Sequence, residues 1–474
     1  MRGGFYCALI PMWEGFDEYA HFARLTQGPL PNRTEGISKE VEATFHLAPL
    51  PDQLAWMGPW TKTHRQWWAQ SETDRAARLD ALARLSPAWA RLPSDVFYDA
   101  YESQQAPLYY WLLTGPARLI SGWNIQDRVL AMRLLSLLLA SFAIPLTYLA
   151  GRNLLGREAG IGAALLLAVS PMLSIDVARV ANDCLALSLL ALLLYFLTEA
   201  PSKWWKVGLV LGFALLTKAY VLTVIPALIL VWRKRPFDAA KALATSLAIA
   251  GWWYGRNLLV TGSLTGWFDD APLSAILANL FRVDWPHAAG AVFKTAIWFG
   301  GWSFLTVKAW LYNVLLLILA AAALAALRKF RQIEIPASIL GWFLAGVVYD
   351  VTAEFVTQRT SSAPGWYLWA VCSAVALVLA CGAGKWTAWL ALAIAAFDVY
   401  TSNFVLLPYY SGLAGHGRTF ARVDQAVVAM RRMNVPVQMW VFSSSVCLIL
   451  PVVVLLYLNF NRSKRCNERQ TGLT

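Results

Sequence analysis

Trp13-Glu14-Gly15-Phe16-Asp17-Glu18-Tyr19-Ala20-His21-Phe22 gathers three carboxylates and a histidine into ten residues, directly after the apolar run 5–11. In a helix, Asp17 and His21 share a face at i,i+4, and Glu18 and His21 are neighbours at i,i+3. Two readings are open for this stretch. It is either a polar cap, of the kind that charged residues form just outside a membrane span, or a reaction centre at a membrane surface. Which one holds depends on whether the surrounding chain is a membrane bundle and on what else lies on the same side.

The composition points to the bilayer. Of the 474 residues, 58% are hydrophobic and 14% are charged, whereas soluble chains carry about 25% charged residues. Twenty-four Trp and 17 Tyr fit aromatic belts at the two membrane surfaces. The net charge of +12 does not imply a nucleic-acid partner, because the Lys and Arg sit in short clusters between apolar runs. Six Cys without a CxxC pair suggest neither a disulfide framework nor a metal site. Nucleotide and hydrolase templates are missing: there is no GxSxG, P-loop, dinucleotide fingerprint or HExxH. The energy of any group transfer must then arrive with the substrate.

Working outward from the opening stretch, the expected organisation is as follows. Residues 1–12 form a partial first transmembrane helix. It has about a dozen apolar residues where a span needs roughly 20, so truncation is expected. Residues 13–122 form a first extracytoplasmic loop with interfacial helices. Leu79, Leu82 and Leu85 recur at helical spacing over 74–92, among Arg75, Arg78 and Arg84. This is an amphipathic helix, lying either on the membrane surface or within the loop. Asn32-Arg33-Thr34 is a glycosylation sequon, a weak signal outside a secretory pathway. A transmembrane module follows over 123–260, then a second loop over 261–306 containing Asp269, Asp270, Asp284 and His287. A C-terminal transmembrane module covers 307–460, with an outer loop over 405–436, and 461–474 is a basic cytoplasmic tail. The fold class expected is an all-α polytopic membrane protein.

Charge gives the orientation. The loops at 151–159, 199–206, 232–241, 328–334, around 385 and at 461–469 hold sixteen Lys and Arg. The short loops on the other side hold Arg179, Lys218, Arg256 and Arg359, so the first set is cytoplasmic. The opposite face collects Asp17, Glu18, His21, Asp176, Arg179, Asp183, Lys218, Arg256 and Arg359. Ionisable groups near span ends are costly and mark function by default. Carboxylates can hold a divalent cation or act as a base toward a hydroxyl, and Lys or Arg can hold a phosphate. Each residue also has a plain structural reading: Arg179 or Arg256 can anchor to lipid headgroups, and Asp176 can cap a helix. Lys218 is sharper, because it interrupts the apolar run 208–228 with no partner nearby in sequence.

Phe16-Asp17-Glu18-Tyr19-Ala20-His21-Phe22 resembles the Asp-Glu-x-x-His-type motif in the first outer loop of GT-C glycosyltransferases, in particular the protein O-mannosyltransferase and glycosyltransferase family 39 group. The segments 133–157 (RLLSLLLASFAIPLTYLAGRNLLGR), 159–185 (AGIGAALLLAVSPMLSIDVARVANDCL) and 207–220 (VGLVLGFALLTKAY) are similar to the group's next segments, in the same order. The resemblance covers 13–235. It departs from the group at Gln105-Ala106-Pro107-Leu108-Tyr109-Tyr110, where relatives have His-Pro-Pro-Leu-Tyr-Tyr. It departs again at Gly365-Trp366-Tyr367-Leu368, where many have Gly-Arg-Tyr-Leu; Arg359 is a substitute for that charge.

The resemblance implies a GT-C-type bundle of about 11–12 helices and a bacterial inner-membrane enzyme acting at the periplasmic face. Such an enzyme moves a sugar, with inversion, from a polyprenyl-phosphate carrier to a protein, glycolipid or glycan acceptor. It implies Asp17 as base or metal ligand with Glu18 beside it, and Asp183 as second carboxylate or metal ligand. His21, Lys218, Arg256 and Arg359 are implied at the donor phosphate. A divalent cation (Mg, Mn or Zn) at Asp17 and Asp183 is an option, and membrane lipids are the remaining partners. The alternatives are a lipid-linked glycan flippase or transporter, and a catalytically inactive GT-C relative.

Overall fold

Apolar runs punctuated by short basic turns leave the chain one way to satisfy its backbone in lipid, which is helix. The computed structural model describes residues 1–26, 35–57, 60–88, 90–93, 101–266, 271–413 and 423–470. The sequon at 32–34 and the pair Asp269 and Asp270 lie outside the described residues. The chain is an all-α polytopic membrane protein, as expected. Among the described residues, five helical segments, at 125–155, 309–327, 334–358, 365–410 and 437–461, are long and apolar enough to cross a membrane. Shorter apolar helices, Asp183–Thr198, Trp204–Leu215 and Ala219–Val231, complete the apolar set. The segment 365–410 is 61% buried along its apolar window, against 22–33% for the other four, so it runs through the middle while they turn a face to lipid. Gly384, at φ 54, breaks it into two arms, Cys372–Ala383 and Thr387–Thr401.

Close helix packing is set by small residues. Trp204–Leu215 lies against Pro236–Thr261. A Cβ at Gly208 would sit 2.7 Å from the Ala242 carbonyl oxygen, and one at Gly212 would sit 2.8 Å from the Ile249 Cβ. The Gly-xxx-Gly spacing lets two backbones approach where lipid gives no hydrophobic drive for helix association. That approach fixes the Lys218 end of the helix.

The insert after the first helix is more mixed than expected. Among its described residues it has two small sheets: Glu35–Ser38 pairs antiparallel with Arg91–Pro93, and Pro49–Leu50 pairs parallel with Lys62–Thr63. The amphipathic stretch becomes a helix over Glu72–Ala83, capped by the Ser71 hydroxyl on the Asp74 amide. Its Leu82 is buried and Leu79 is 43% exposed, while Arg78 donates to the His46 carbonyl.

The opening helix is short, Arg2–Leu9, but it is firmly held. The Arg2 Nε donates to Asp398 Oδ2 at 2.5 Å, its Nη2 to Ser402 Oγ at 2.6 Å, and Tyr6 Oη to Asp398 Oδ1 at 2.6 Å. Asp398 sits fully buried in Thr387–Thr401, so a paired charge ties the first helix to a late one.

Candidate active site

The turn 13–17 is the hub. Trp13 and Asp17 both adopt left-handed backbone, at φ 68 and 57. For residues other than glycine this conformation is uncommon and costs of order 1 kcal/mol or more. Gly15 lets the turn press on a neighbour, since a Cβ there would lie 2.6 Å from the Arg179 Cβ. Asp17 is thereby placed at the start of the helix Glu18–Leu25.

Two carboxylates of this stretch are wholly committed to holding it. Glu18 is buried and accepts from Arg133 Nε at 2.6 Å, Arg133 Nη2 at 2.5 Å, the Trp13 amide at 3.1 Å and the Val180 amide at 3.1 Å. Arg133 also donates to the carbonyls of Cys7, Ile10 and Pro11, so a single guanidinium gathers the whole turn. Glu14, also buried, accepts from the Ser303 amide and hydroxyl and lies 2.8 Å from His64 Nε2. Its carbonyl accepts from the Trp302 amide at 3.0 Å. Glu14 therefore seams the opening turn to the insert and to the segment 301–303.

Asp17 is different. It is half-buried, and its Oδ1 accepts from Tyr101 Oη at 2.5 Å. Burial pushes its carboxyl above the ordinary value. The Tyr101 hydrogen bond and the charges of Arg179 and Lys218 act the other way, and Asp183 adds to the rise. Asp183 stands opposite, at the start of Asp183–Thr198. Its Oδ2 accepts from Arg179 Nη2 at 3.0 Å and Lys218 Nζ at 3.2 Å, and its Oδ1 from Tyr220 Oη at 3.1 Å. Lys218 Nζ also donates to Asn182 Oδ1 at 2.9 Å, and Asn182 in turn donates to Gln105 Oε1 at 3.1 Å. Arg179 further bonds Asp176 and the Phe16 carbonyl and lies over the Phe16 ring. The other side of that ring region carries Trp366, stacked on Phe16 at 4.0 Å between centroids with planes 4° apart.

His21 is buried, with Nδ1 2.7 Å from Tyr110 Oη and 3.7 Å from Glu102 Oε2. Burial, with Lys218 and Arg179 nearby, pushes its imidazole below the ordinary value, so it is a neutral hydrogen-bonding group at neutral pH. Asp17, His21, Arg179, Asp183 and Lys218 thus come together. Arg256 lies on Pro236–Thr261 with its guanidinium over the Trp253 ring at 4.9 Å and bonded to Asn257. Arg359 is exposed in left-handed backbone at the end of Glu334–Gln358, and among the described residues its guanidinium has no hydrogen bond or ion pair.

A divalent cation does not fit these groups. Both oxygens of Asp183 already receive donors, two of them the cations Arg179 and Lys218, and Asp17 Oδ1 receives Tyr101. Among the described residues no three His, Cys, Asp or Glu side chains form a ligand set.

Three residues of the site were not anticipated from the sequence. Tyr101 and Glu102 occupy the short turn Tyr101–Gln104, ahead of the helix Leu108–Leu119. Arg133 was read as part of a segment resemblance only, although a charge inside the apolar run 125–155 is a signal in itself.

Residues 104–253 match the family model described as dolichyl-phosphate-mannose-protein mannosyltransferase. That stretch contains Asn182, Asp183 and Lys218, while Asp17 and Glu102 precede it. No curated protein gives a significant match. Among solved structures, ArnT from Cupriavidus metallidurans bound to undecaprenyl phosphate is 15% identical with a TM-score of 0.41, over 74% of this chain and 66% of that one. The apo state of the same protein is 15% identical with a TM-score of 0.42, over 87% and 73%. These structural likenesses are distant and carry nothing about substrate. Over 104–253 the chain carries the pattern of the dolichyl-phosphate-mannose-protein mannosyltransferases, and its resemblance to the GT-C glycosyltransferases is borne out.

Proposed function

We propose that the protein is a membrane glycosyltransferase that moves a sugar from a polyprenyl-phosphate donor to an acceptor hydroxyl, at the outer face of a bacterial inner membrane. The observation that carries this reading is the pairing of Asp183 with the fixed cations Arg179 and Lys218 beside Asp17, whose neighbour Phe16 accepts from Arg179 through its carbonyl. A carboxylate within reach of two cations suits a reaction in which an anion departs while a hydroxyl loses its proton.

The step is a single displacement. The acceptor oxygen bonds to the anomeric carbon as the bond from that carbon to the phosphate oxygen breaks, and the electron pair leaves with the phosphate. Asp17 takes the acceptor proton, a contribution of about 10²–10⁴-fold. Lys218 and Arg179 face the growing phosphate charge in a water-poor site, where fixed charges act most strongly. His21, neutral, supplies a hydrogen bond rather than a charge. Attack opposite the departing phosphate inverts the anomeric centre. Glu18 holds the turn, with four donors on its two oxygens. The chemistry fits a protein Ser/Thr, a lipid A-like glycolipid or a growing polysaccharide as acceptor.

The test uses purified protein in nanodiscs, a radiolabelled pool of polyprenyl-phosphate-linked sugars, and Asp17→Asn. Transfer by wild type with loss in the variant is expected. A wild type that transfers nothing and is not stabilised by undecaprenyl phosphate, or an Asp17→Asn variant as active as wild type, overturns the reading.

A further inference from the structure

Among the described residues, Glu102 has a fully buried carboxyl oxygen without a partner. It is 4% exposed, and its Oε2 has no hydrogen-bond partner among the described residues. The nearest polar nitrogen is His21 Nδ1, at 3.7 Å, and that nitrogen is already engaged with Tyr110 Oη. Every neighbouring ionisable group has an assigned partner. Asp17 takes Tyr101, Asp183 takes Lys218 and Arg179, and Asp176 takes Arg179. Lys218 is the cation that acts most on Glu102, yet its Nζ is bonded to Asn182 and Asp183. A buried carboxyl oxygen without a donor is destabilising by roughly 1–3 kcal/mol, and such a group is retained where a ligand supplies the missing donor.

The chemistry of that donor is narrow. In its ionised form the carboxyl repels a phosphodiester, which has no proton to give. An apolar chain leaves it unsatisfied. A hydroxyl group satisfies it directly. From the donor phosphate at Lys218, the next part of a lipid-linked substrate is its sugar, and the turn Tyr101–Gln104 holding Glu102 lies beside Asp17, where the sugar must react. We infer that Glu102 is a substrate-contacting residue whose Oε2 accepts a hydroxyl of the reacting partners, placing the sugar between Lys218 and the Tyr101–Gln104 turn. The inference rests on the transferase reading above and adds to it the orientation of the substrate. The groups facing Glu102 are Asp17 and His21 from the opening stretch, Arg179 and Asp183 from the segment around 180, and Lys218. Their balance, with burial foremost, pushes its carboxyl up to about 8, and a hydroxyl, which both donates and accepts, can pair with the protonated and the ionised form alike, whereas a phosphodiester could pair with the protonated form alone.

The test separates the sugar side of the site from the phosphate side. Glu102→Leu and Glu102→Gln are compared with wild type in nanodiscs, using the radiolabelled donor pool for transfer and undecaprenyl phosphate, which carries no sugar, as inhibitor. Glu102→Leu is expected to lower kcat/KM about 10–100-fold, the loss of one hydrogen bond to an ionisable group. Inhibition by undecaprenyl phosphate should stay within about twofold. Glu102→Gln keeps an acceptor oxygen and should lose less, about 3–10-fold; it decides alone if the leucine variant does not fold. A rise in KM for the donor identifies the sugar's hydroxyl, and a rise in KM for the acceptor identifies the attacking one. Wild-type transfer by a folded Glu102→Leu or Glu102→Gln overturns the inference, as does a parallel loss of undecaprenyl phosphate inhibition. A wild type without transfer and without any response to undecaprenyl phosphate is the separate failure of the transferase reading, and this assignment falls with it.

Discussion

The proposed function gives the adjacent carboxylates Glu18 and Asp17 opposite duties, and substitution should separate them. Replacing Glu18 with Gln puts an NH₂ where one oxygen stood. Of the four donors now received by Glu18, the two on that oxygen then face a donor, and the charge that balances Arg133 is gone. Glu18 is 0% and Arg133 3% exposed, so water cannot take over. Removing one partner of a buried pair costs about 3–5 kcal/mol. The three carbonyls that also receive Arg133 put the expected loss near the lower end, ~3 kcal/mol. Asp17→Asn keeps the shape and an oxygen for Tyr101, so its stability should stay within about 1 kcal/mol of wild type. Transfer reverses the order: Asp17→Asn should lose about 10²–10⁴-fold, while Glu18→Gln, assayed at a temperature where it is folded, should keep most of its rate. Denaturant unfolding in detergent micelles, beside the radiolabel assay, reads both quantities. A Glu18→Gln protein as stable as wild type but inactive would refute the division of labour, because Glu18 would then act in the chemistry.

Three further outcomes are expected. Lys218→Ala should weaken inhibition by undecaprenyl phosphate about 10–100-fold, the loss of a charge-assisted hydrogen bond to phosphate; unchanged inhibition places the phosphate elsewhere. Tyr101→Phe removes a hydrogen bond that lowers the Asp17 carboxyl. Because the base works only when deprotonated, the acid limb of the kcat/KM profile should move to higher pH. A limb that stays in place, or moves to lower pH, removes Asp17 from the role of base. Treatment with EDTA should leave the transfer rate within about twofold of the untreated enzyme, since Lys218 and Arg179 supply the cationic charge. Inactivation by EDTA that is reversed by Mg, Mn or Zn would overturn the cation-free site.

The helices and their approximate bounds were legible because lipid imposes one rule on every span: an apolar run with internally satisfied backbone. The meeting of Asp17, Asp183 and Lys218 was legible too, because counting Lys and Arg across alternate loops put all three on one side. What periodicity could not say is which carboxylate is tied up. Asp17 and Glu18 look alike as neighbours. Their difference comes from Arg133, more than a hundred positions away, and from a left-handed backbone at Asp17 that only the packed turn over Gly15 and Arg179 enforces. Glu102 was hidden for a related reason: it lies in a loop of irregular pattern, and its meaning is an unfilled oxygen, a property of three-dimensional surroundings. Arg359 shows the limit from the other side. A charge near a span end looked like a site residue, yet it points to solvent. The short sheets of the insert also escaped, since strands of two to four residues are too brief for alternation to register.

The tie between Arg2 and Asp398 bears on the order in which the molecule can be built. The two residues are 396 positions apart, and Glu14 meets Ser303 across 289. A ribosome delivers the opening helix first and its buried counter-charge last. Until residue 398 emerges, the guanidinium of Arg2 is an unneutralised charge at the membrane, free to reside in the headgroup region rather than in the bundle. The turn 13–17 hung from that helix should therefore become fixed only near the end of synthesis. A nascent chain arrested before residue 398 should already contain Asp183 and Lys218 in their helices while lacking a settled Asp17. The place of Asp17 is thus set by a residue made 396 positions after Arg2.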